Sequence, residues 1–247
     1  HHFHPGPYFY PSRIGRDWCH HWKHYNMEPG NDSKRLGMYC RDTTGSRAYR
    51  KDLIRKLVPY KDHLHFELQE PVINSSLNLH FPASKVEYGS DASATIVPED
   101  CKKFDIQIVP ETLFRTQKTH LTEKVFKPIA MEQPFIIVGC PNSLEYLRSY
   151  GFKTFTMWDE SYDSITDPDE RMAAVIDLVK HLSSMNEREY TYMMRKARSI
   201  AKFNRQRFIS GVFEDIMLEE LHTNLNNAIA ERNEEYKTMP GGTWFMY

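Results

Sequence analysis

The sequence has little that marks a cofactor or a compartment. Its four cysteines, Cys19, Cys40, Cys101 and Cys140, are scattered and show no CxxC spacing. That points away from a disulfide framework and toward a reduced, intracellular setting. Two of them, by this reading, lie in strands. No apolar run approaches the ~20 residues of a membrane span, and the residues given do not open with a signal-peptide pattern. A soluble, cytoplasmic protein is the expectation, with virion association left open. Charge of either sign is not in excess: 32 Lys and Arg stand against 33 Asp and Glu, for a formal net charge of −1. Bulk charge therefore points to neither nucleic acid nor an anionic membrane. An initiator methionine is also missing. The opening His1-His2-Phe3-His4-Pro5 reads as that of a fragment or a processed product.

Apolar and aromatic residues are in good supply, at 40% and 13% of 247 residues, enough to bury a sizeable core in one large domain or two small ones. The chain is organised around His120 to Gly139, HLTEKVFKPIAMEQPFIIVG. Thr122 is a candidate N-cap. Glu123 and Lys124 fall in the first helical turn, where N–H groups are unpaired and the helix dipole is positive. Val125, Phe126 and Ile129 share one apolar face, and Pro134 is expected to end the helix. Phe135-Ile136-Ile137-Val138 is an unbroken apolar run, as in a parallel strand covered on both sides. Upstream, Ile106 to Val109 reads as another strand, with Pro110-Glu111-Thr112 at its carboxyl end. Ligands of open α/β sheets bind beyond strand carboxyl ends, and phosphates favour helix N-termini.

The rest of the chain is taken in order. Residues 1–33 are rich in His, Pro, Gly and aromatics, and are expected to be irregular. Cys19-His20-His21 with His24 prompts a metal check, since His20 and His24 are four apart. No second ligand pair follows at finger spacing, so no metal is expected. Lys34 to Arg41 reads as the first strand and Thr43 to Ser46 as a turn. Ser46 is the candidate cap of a helix from Arg47 to about Tyr60. Arg47, Arg50 and Lys51 lie in its first turns, where a guanidinium fork suits a pyrophosphate. His63 to Leu68 is a strand of period two, and residues 70–100 a long loop or crossover. Pro141-Asn142-Ser143 caps a helix over Leu144–Tyr150, Gly151 ends it, and Phe152–Phe155 is a short strand. Asp167-Pro168-Asp169 has the DxD form of some metal–nucleotide sites. With Pro168 at N1 and Glu170 at N3, however, it reads as a helix start. Arg171 to Met185 is that helix, and Asn186 opens the next. On that next helix Arg195, Arg198, Lys202 and Arg205 form a basic stripe. Phe208 to about Lys237 reads as a long amphipathic helix, followed by an aromatic tail after Gly241-Gly242.

Glu111, Thr122-Glu123-Lys124, the helix, Pro134 and the strand ending in Gly139 together resemble the donor-binding half of α1,3-fucosyltransferase-type glycosyltransferases. Exostosin-like transferases are a looser relative of the pattern. Leu144–Arg148 and Gly151–Phe155 also resemble viral and phage proteins that share this module. The likeness spans about residues 34–185 and is tight over 104–155. It implies an α/β fold: a Rossmann-like parallel sheet of GT-B type with a helical C-terminal region. The expected organisation is an aromatic, His-rich segment (1–33), a nucleotide-sugar-binding domain (34–185), and C-terminal helices with an aromatic tail (186–247). The implied activity is inverting, nucleotide-sugar-dependent glycosyl transfer with a GDP- or UDP-linked donor and no metal or other cofactor. Arg47, Arg50, Lys51, Glu111, Thr122, Glu123 and Lys124 are the expected donor-binding residues. The catalytic base of that family lies in its other domain, and such an enzyme would carry more chain before residue 34. No counterpart of the base stands out; Asp17 and Glu28 are guesses. The acceptor, be it glycan, protein or nucleic acid, is not indicated. The alternative is a non-catalytic, transferase-like structural or binding subunit of a viral particle or larger assembly, with a protein partner held through the aromatic ends.

Overall fold

The computed structural model describes residues 34–68, 72–74, 79–81, 102–118 and 121–238. The Cys19-His20-His21/His24 cluster, Asp17, Glu28 and the aromatic tail lie outside the described residues. So does most of the 70–100 crossover, of which only a short antiparallel pair, β3 (Val72–Asn74) and β4 (Leu79–Phe81), is described.

The protein has an α/β fold built on a four-stranded parallel sheet. β1 (Lys34–Cys40), β2 (Leu64–Leu68), β5 (Phe104–Pro110) and β6 (Phe135–Val138) take the order β2-β1-β5-β6. Register pairs Leu36 with both Leu64 and Ile106, and Pro110 with Val138. The four residues of β6 are all buried, so helices cover both of its faces. Gly37 belongs to this packing. A Cβ there would fall 2.1 Å from the Phe104 ring, so the aromatic occupies the space a side chain would need.

Helix α1 (Tyr49–Leu57) links β1 to β2, and α2 (Glu123–Ala130) links β5 to β6. The chain leaves β1 toward one side of the sheet and leaves β5 toward the other. The carboxyl ends of β1 and β5 therefore flank the topological switch point, where such sheets open a crevice.

Several boundaries differ from the sequence expectation. Ser46 does not cap α1. It sits in a 3-10 turn, Gly45–Arg47, and α1 starts after Ala48 with no side-chain cap. Pro134 does not end α2. Pro128 lies inside the helix, and the chain turns at Glu132, whose φ is 53°. Asn142 caps nothing with its side chain. The start of α3 (Ser143–Ser149) is capped from a distance by Asp163, whose carboxylate accepts from the N–H groups of Leu144 at 2.9 Å and Glu145 at 3.3 Å.

The expected strand over 152–155 is absent. Phe152 and Phe155 are buried as a strand would bury them, but no strand among the described residues supplies the ladder. The Asn204 amide takes its place: Lys153 N–H donates to Asn204 Oδ1 at 2.8 Å, and Asn204 Nδ2 donates back to the Lys153 carbonyl at 2.8 Å.

The C-terminal helices are α4 (Pro168–Ser184), α5 (Glu187–Ile209) and α6 (Val212–Thr238). Asp167 caps α4 through the N–H groups of Asp169 and Glu170, which settles its DxD spacing as a helix start. Asn186 caps α5. The single long helix expected from Phe208 is instead broken at Gly211, whose φ of 81° suits glycine. Phe208 and Phe213, on either side of that break, pack with Phe126 of α2 at ring-centroid distances of 5.8 and 5.4 Å. One hydrophobic core thus runs from Leu36 to Met217. No helix among the described residues is long and apolar enough to cross a membrane.

Asn204→Ala should therefore remove the partner of two part-buried backbone groups of Lys153 and cost about 1–3 kcal/mol in urea unfolding. Asn204→Asp, which keeps only the acceptor, should fall between. A cost below about 0.5 kcal/mol for the alanine variant would mean that water or rearrangement replaces the amide.

Candidate functional site

The switch point gathers most of the residues singled out from the sequence. Glu111 follows β5 directly and is fully buried. Its carboxylate is enclosed by donors: Thr122 N–H at 3.1 Å, Thr122 Oγ1 at 2.5 Å and the Thr112 N–H at 3.3 Å. Thr122 is the N-cap of α2. Its hydroxyl gives its proton to Glu111 and accepts from the Lys124 N–H at 3.4 Å and from Lys124 Nζ at 3.0 Å. One threonine oxygen therefore ties the strand end, the helix start and a lysine together.

Lys124 leans back over this cap. Its ammonium lies 3.2 Å from Thr112 Oγ1, 3.4 Å from Glu123 and 4.0 Å from Glu111. A quarter of the Lys124 side chain stays exposed, against 14% of Glu123 and none of Glu111. Lys124 is therefore the charged group of this cluster that most reaches solvent. Burial raises the Glu111 carboxyl above its ordinary range, while the charge of Lys124 and the bonds from Thr122 pull the other way.

The neighbouring strand–helix unit supplies the remaining cations. Arg50 is buried, and its guanidinium donates to carbonyls at two strand ends: Asp42 at 2.8 Å, Pro110 at 2.8 Å and Glu111 at 2.9 Å. Its Nε has no hydrogen-bond partner among the described residues. Tyr49 Oη sits 2.6 Å from the Glu111 carbonyl and 3.1 Å from that of Val138, joining β5 and β6. Arg47 is half-exposed and pairs with Asp42 Oδ2 at 2.8 Å. The other Asp42 oxygen accepts from the Thr44 N–H and hydroxyl, which lowers the Asp42 pKa and firms the loop after β1. Lys51 is exposed on the next turn.

Glu111, Thr122, Glu123 and Lys124 thus form one cluster. Arg50 touches its backbone, Arg47 flanks it on the β1 loop, and Lys51 does not join it. Sequence reading missed Tyr49, Asp42 and Arg171. Arg171 is buried in α4 and donates to the carbonyls of Gly139 at 3.0 Å, Ile165 at 2.5 Å and Phe114, so it fixes the loops after β5 and β6. Tyr49 and Arg171 carry no local signal that singles them out, because Tyr49 bonds to carbonyls more than sixty positions away and Arg171 reaches back to Gly139 and Phe114, 32 and 57 positions away. Among the described residues, no group of three or more His, Cys, Asp or Glu could hold a metal ion.

No protein-family model matches this chain, and no curated protein matches it in sequence.

Thr122→Val should keep the side chain's shape but remove the cap and the bond to Glu111, at a cost of about 2–3 kcal/mol. Thr122→Ser should cost under about 1 kcal/mol, and equal losses for the two would assign the effect to the methyl group. The pH dependence has a definite sign. A raised carboxyl pKa means that the folded state holds the proton longer than the unfolded one. The contribution of Glu111 is then fully present below the ordinary value near 4 and is lost as pH rises to the folded value. Relative to Glu111→Gln, wild-type stability should decline over that window and level off above it. A relative gain with pH would show that Lys124 outweighs burial.

Proposed function

We propose that the switch-point cluster binds the diphosphate of a nucleotide-sugar, and that the protein is an inverting, fucosyltransferase-like glycosyltransferase of GT-B type. One observation carries this reading: a partly exposed Lys124 ammonium is held over the N-terminus of α2, at the carboxyl edge of a parallel sheet. Helix N–H groups and a fixed cation in that place favour a phosphate dianion. The resemblance of the residues from Glu111 to Gly139 to fucosyltransferase-type donor sites supports the same chemistry.

In the reaction, an acceptor hydroxyl attacks the anomeric carbon and the bond to the donor diphosphate breaks. A base takes the acceptor's proton, and negative charge grows on the leaving diphosphate. Lys124 and the helix N-terminus lie where that charge would develop, so they act on the transition state. Arg47 is placed to add a second cation from the β1 loop. Glu123, at the first position of α2, is the carboxylate that can reach a ribose hydroxyl. Glu111 is a positioning residue here: its oxygens face inward, and its bond to Thr122 sets the start of α2. It does not serve as the acceptor's base. That engagement is also the observation that favours the second reading, a module that binds the donor without catalysing transfer.

Calorimetric titration with GDP and UDP tests the proposal. Wild type should bind one of them, and Lys124→Ala should weaken binding about 10- to 100-fold, as loss of a charge-assisted contact does. A folded wild type that binds neither nucleotide overturns the donor-site reading. Binding without turnover of any nucleotide-sugar would favour the non-catalytic module.

A further inference from the structure

Helix α5 carries six basic residues and no acidic one between Tyr190 and Ile209. The fold uses three of them. Arg198 pairs with Asp105 at 3.1 Å, Arg205 donates to the Ala130 carbonyl at 2.9 Å, and Arg207 donates to the Tyr150 carbonyl at 2.7 Å. Arg195, Lys196 and Lys202 are exposed, and none makes an ion pair with a described residue. Packing does not account for them. Upstream, Glu187 is bonded to Arg35, and the exposed Glu189 marks where the basic face begins.

Two large aromatic side chains stand on the same face. Tyr192 is 57% exposed and Phe203 is 36% exposed. Eleven residues separate them, about three helical turns, so the rings share a side about 16 Å apart. Each lies under an ammonium: Lys196 Nζ is 4.6 Å from the Tyr192 centroid, and Lys153 Nζ is 4.0 Å from that of Phe203. Cations and stacking surfaces alternate along one helix at the spacing of roughly five stacked nucleotides.

We propose that the exposed face of α5, from Tyr192 to Gln206, binds single-stranded nucleic acid. Arg195, Lys196 and Lys202 meet the phosphates, and Tyr192 and Phe203 stack on bases. A bare polyanion would use the cations and leave the rings idle. A duplex would keep its bases from the rings. The surface lies away from the donor site: Tyr190 of α5 bonds to Asp105 near the start of β5, whereas Glu111 follows that strand's end. The inference therefore does not depend on the proposed transfer activity.

Fluorescence polarisation with labelled oligo-dT and oligo-U of about 12 nucleotides, a length within the range of single-strand sites, tests it. Wild type should bind at about 50 mM salt and weaken steeply toward about 200 mM. The triple variant Arg195→Ala, Lys196→Ala, Lys202→Ala should flatten the log–log salt slope by about 2, since each phosphate contact on a single strand contributes about 0.7. Tyr192→Ala with Phe203→Ala should weaken binding about 10-fold or more while leaving the slope unchanged. These positions are exposed, and circular dichroism checks that the variants fold. Lys124→Ala should bind the strands as wild type does, which separates a failure here from a failure of the donor site. No binding at about 50 mM salt overturns the proposal. So does equal binding of heparin or an abasic strand, which would make the face a plain polyanion surface, and so does preference for anionic vesicles.

Discussion

Carbonyl oxygens that end a strand or helix inside a core need donors, and this protein meets that need largely with buried guanidinium groups. Arg35 gathers the carbonyls of Leu182, Ser183 and Met185 at the end of α4. Arg50 gathers those of Asp42, Pro110 and Glu111 at the ends of β1 and β5. Arg171 gathers those of Gly139, Ile165 and Phe114 around the end of β6. An unpartnered buried carbonyl costs about 1–3 kcal/mol, and a guanidinium can satisfy several at once because its donors are held in a fixed plane. Truncating any one of these arginines would take a donor from three carbonyls together, of which Glu111's keeps the Tyr49 hydroxyl. Their removal would therefore disturb the connections between elements more than the elements themselves.

The same constraint shapes the candidate site. With the carbonyls at the carboxyl edge already engaged by Arg50, Tyr49 and Arg171, little negative dipole there faces outward. What remains at the edge includes the N–H groups that open α2, the Lys124 ammonium beside Glu123, and the half-exposed Arg47 paired with Asp42. Glu111 compensates from within. Its buried carboxylate steadies Lys124 at a distance and holds the Thr122 cap directly. The anion proposed for this edge would meet charges placed before it arrives.

How much of this was legible in the sequence follows from the range of each interaction. β1, β5, β6 and α2 were readable because apolar runs, period and a Thr cap are local signals. Asp167 and Asn186 were readable as caps for the same reason. Ser46 and Asn142 failed as caps because the backbone there is set elsewhere. Asn142 takes a left-handed conformation, and Asp163, nineteen residues beyond Leu144, does the capping. The strand expected over 152–155 has strand-like residues, but Asn204 supplies its hydrogen bonds from a helix some fifty positions away. At the site, Glu111, Thr122 and Lys124 lie within fourteen residues of one another and could be read together. Tyr49 and Arg171 could not, since a buried polar residue in a helix looks like any exposed one until its partners are known.

The surface of α5 follows the opposite logic. Everywhere else a cation in the interior is accounted for by a carbonyl or carboxylate. Along α5 the half-exposed Arg198 and the partly buried Arg205 and Arg207 obey that rule, while Arg195, Lys196 and Lys202 face water with no carbonyl or carboxylate partner among the described residues. Exposed rings at Tyr192 and Phe203 compound the departure, since apolar area left in water gains nothing for the fold. Like charges three and four residues apart on a helix also destabilise it slightly. A face that departs from the folding rules in both charge and apolar exposure is one whose composition answers to something outside the fold, and the chemistry that satisfies both departures at once is a strand of phosphates carrying flat bases.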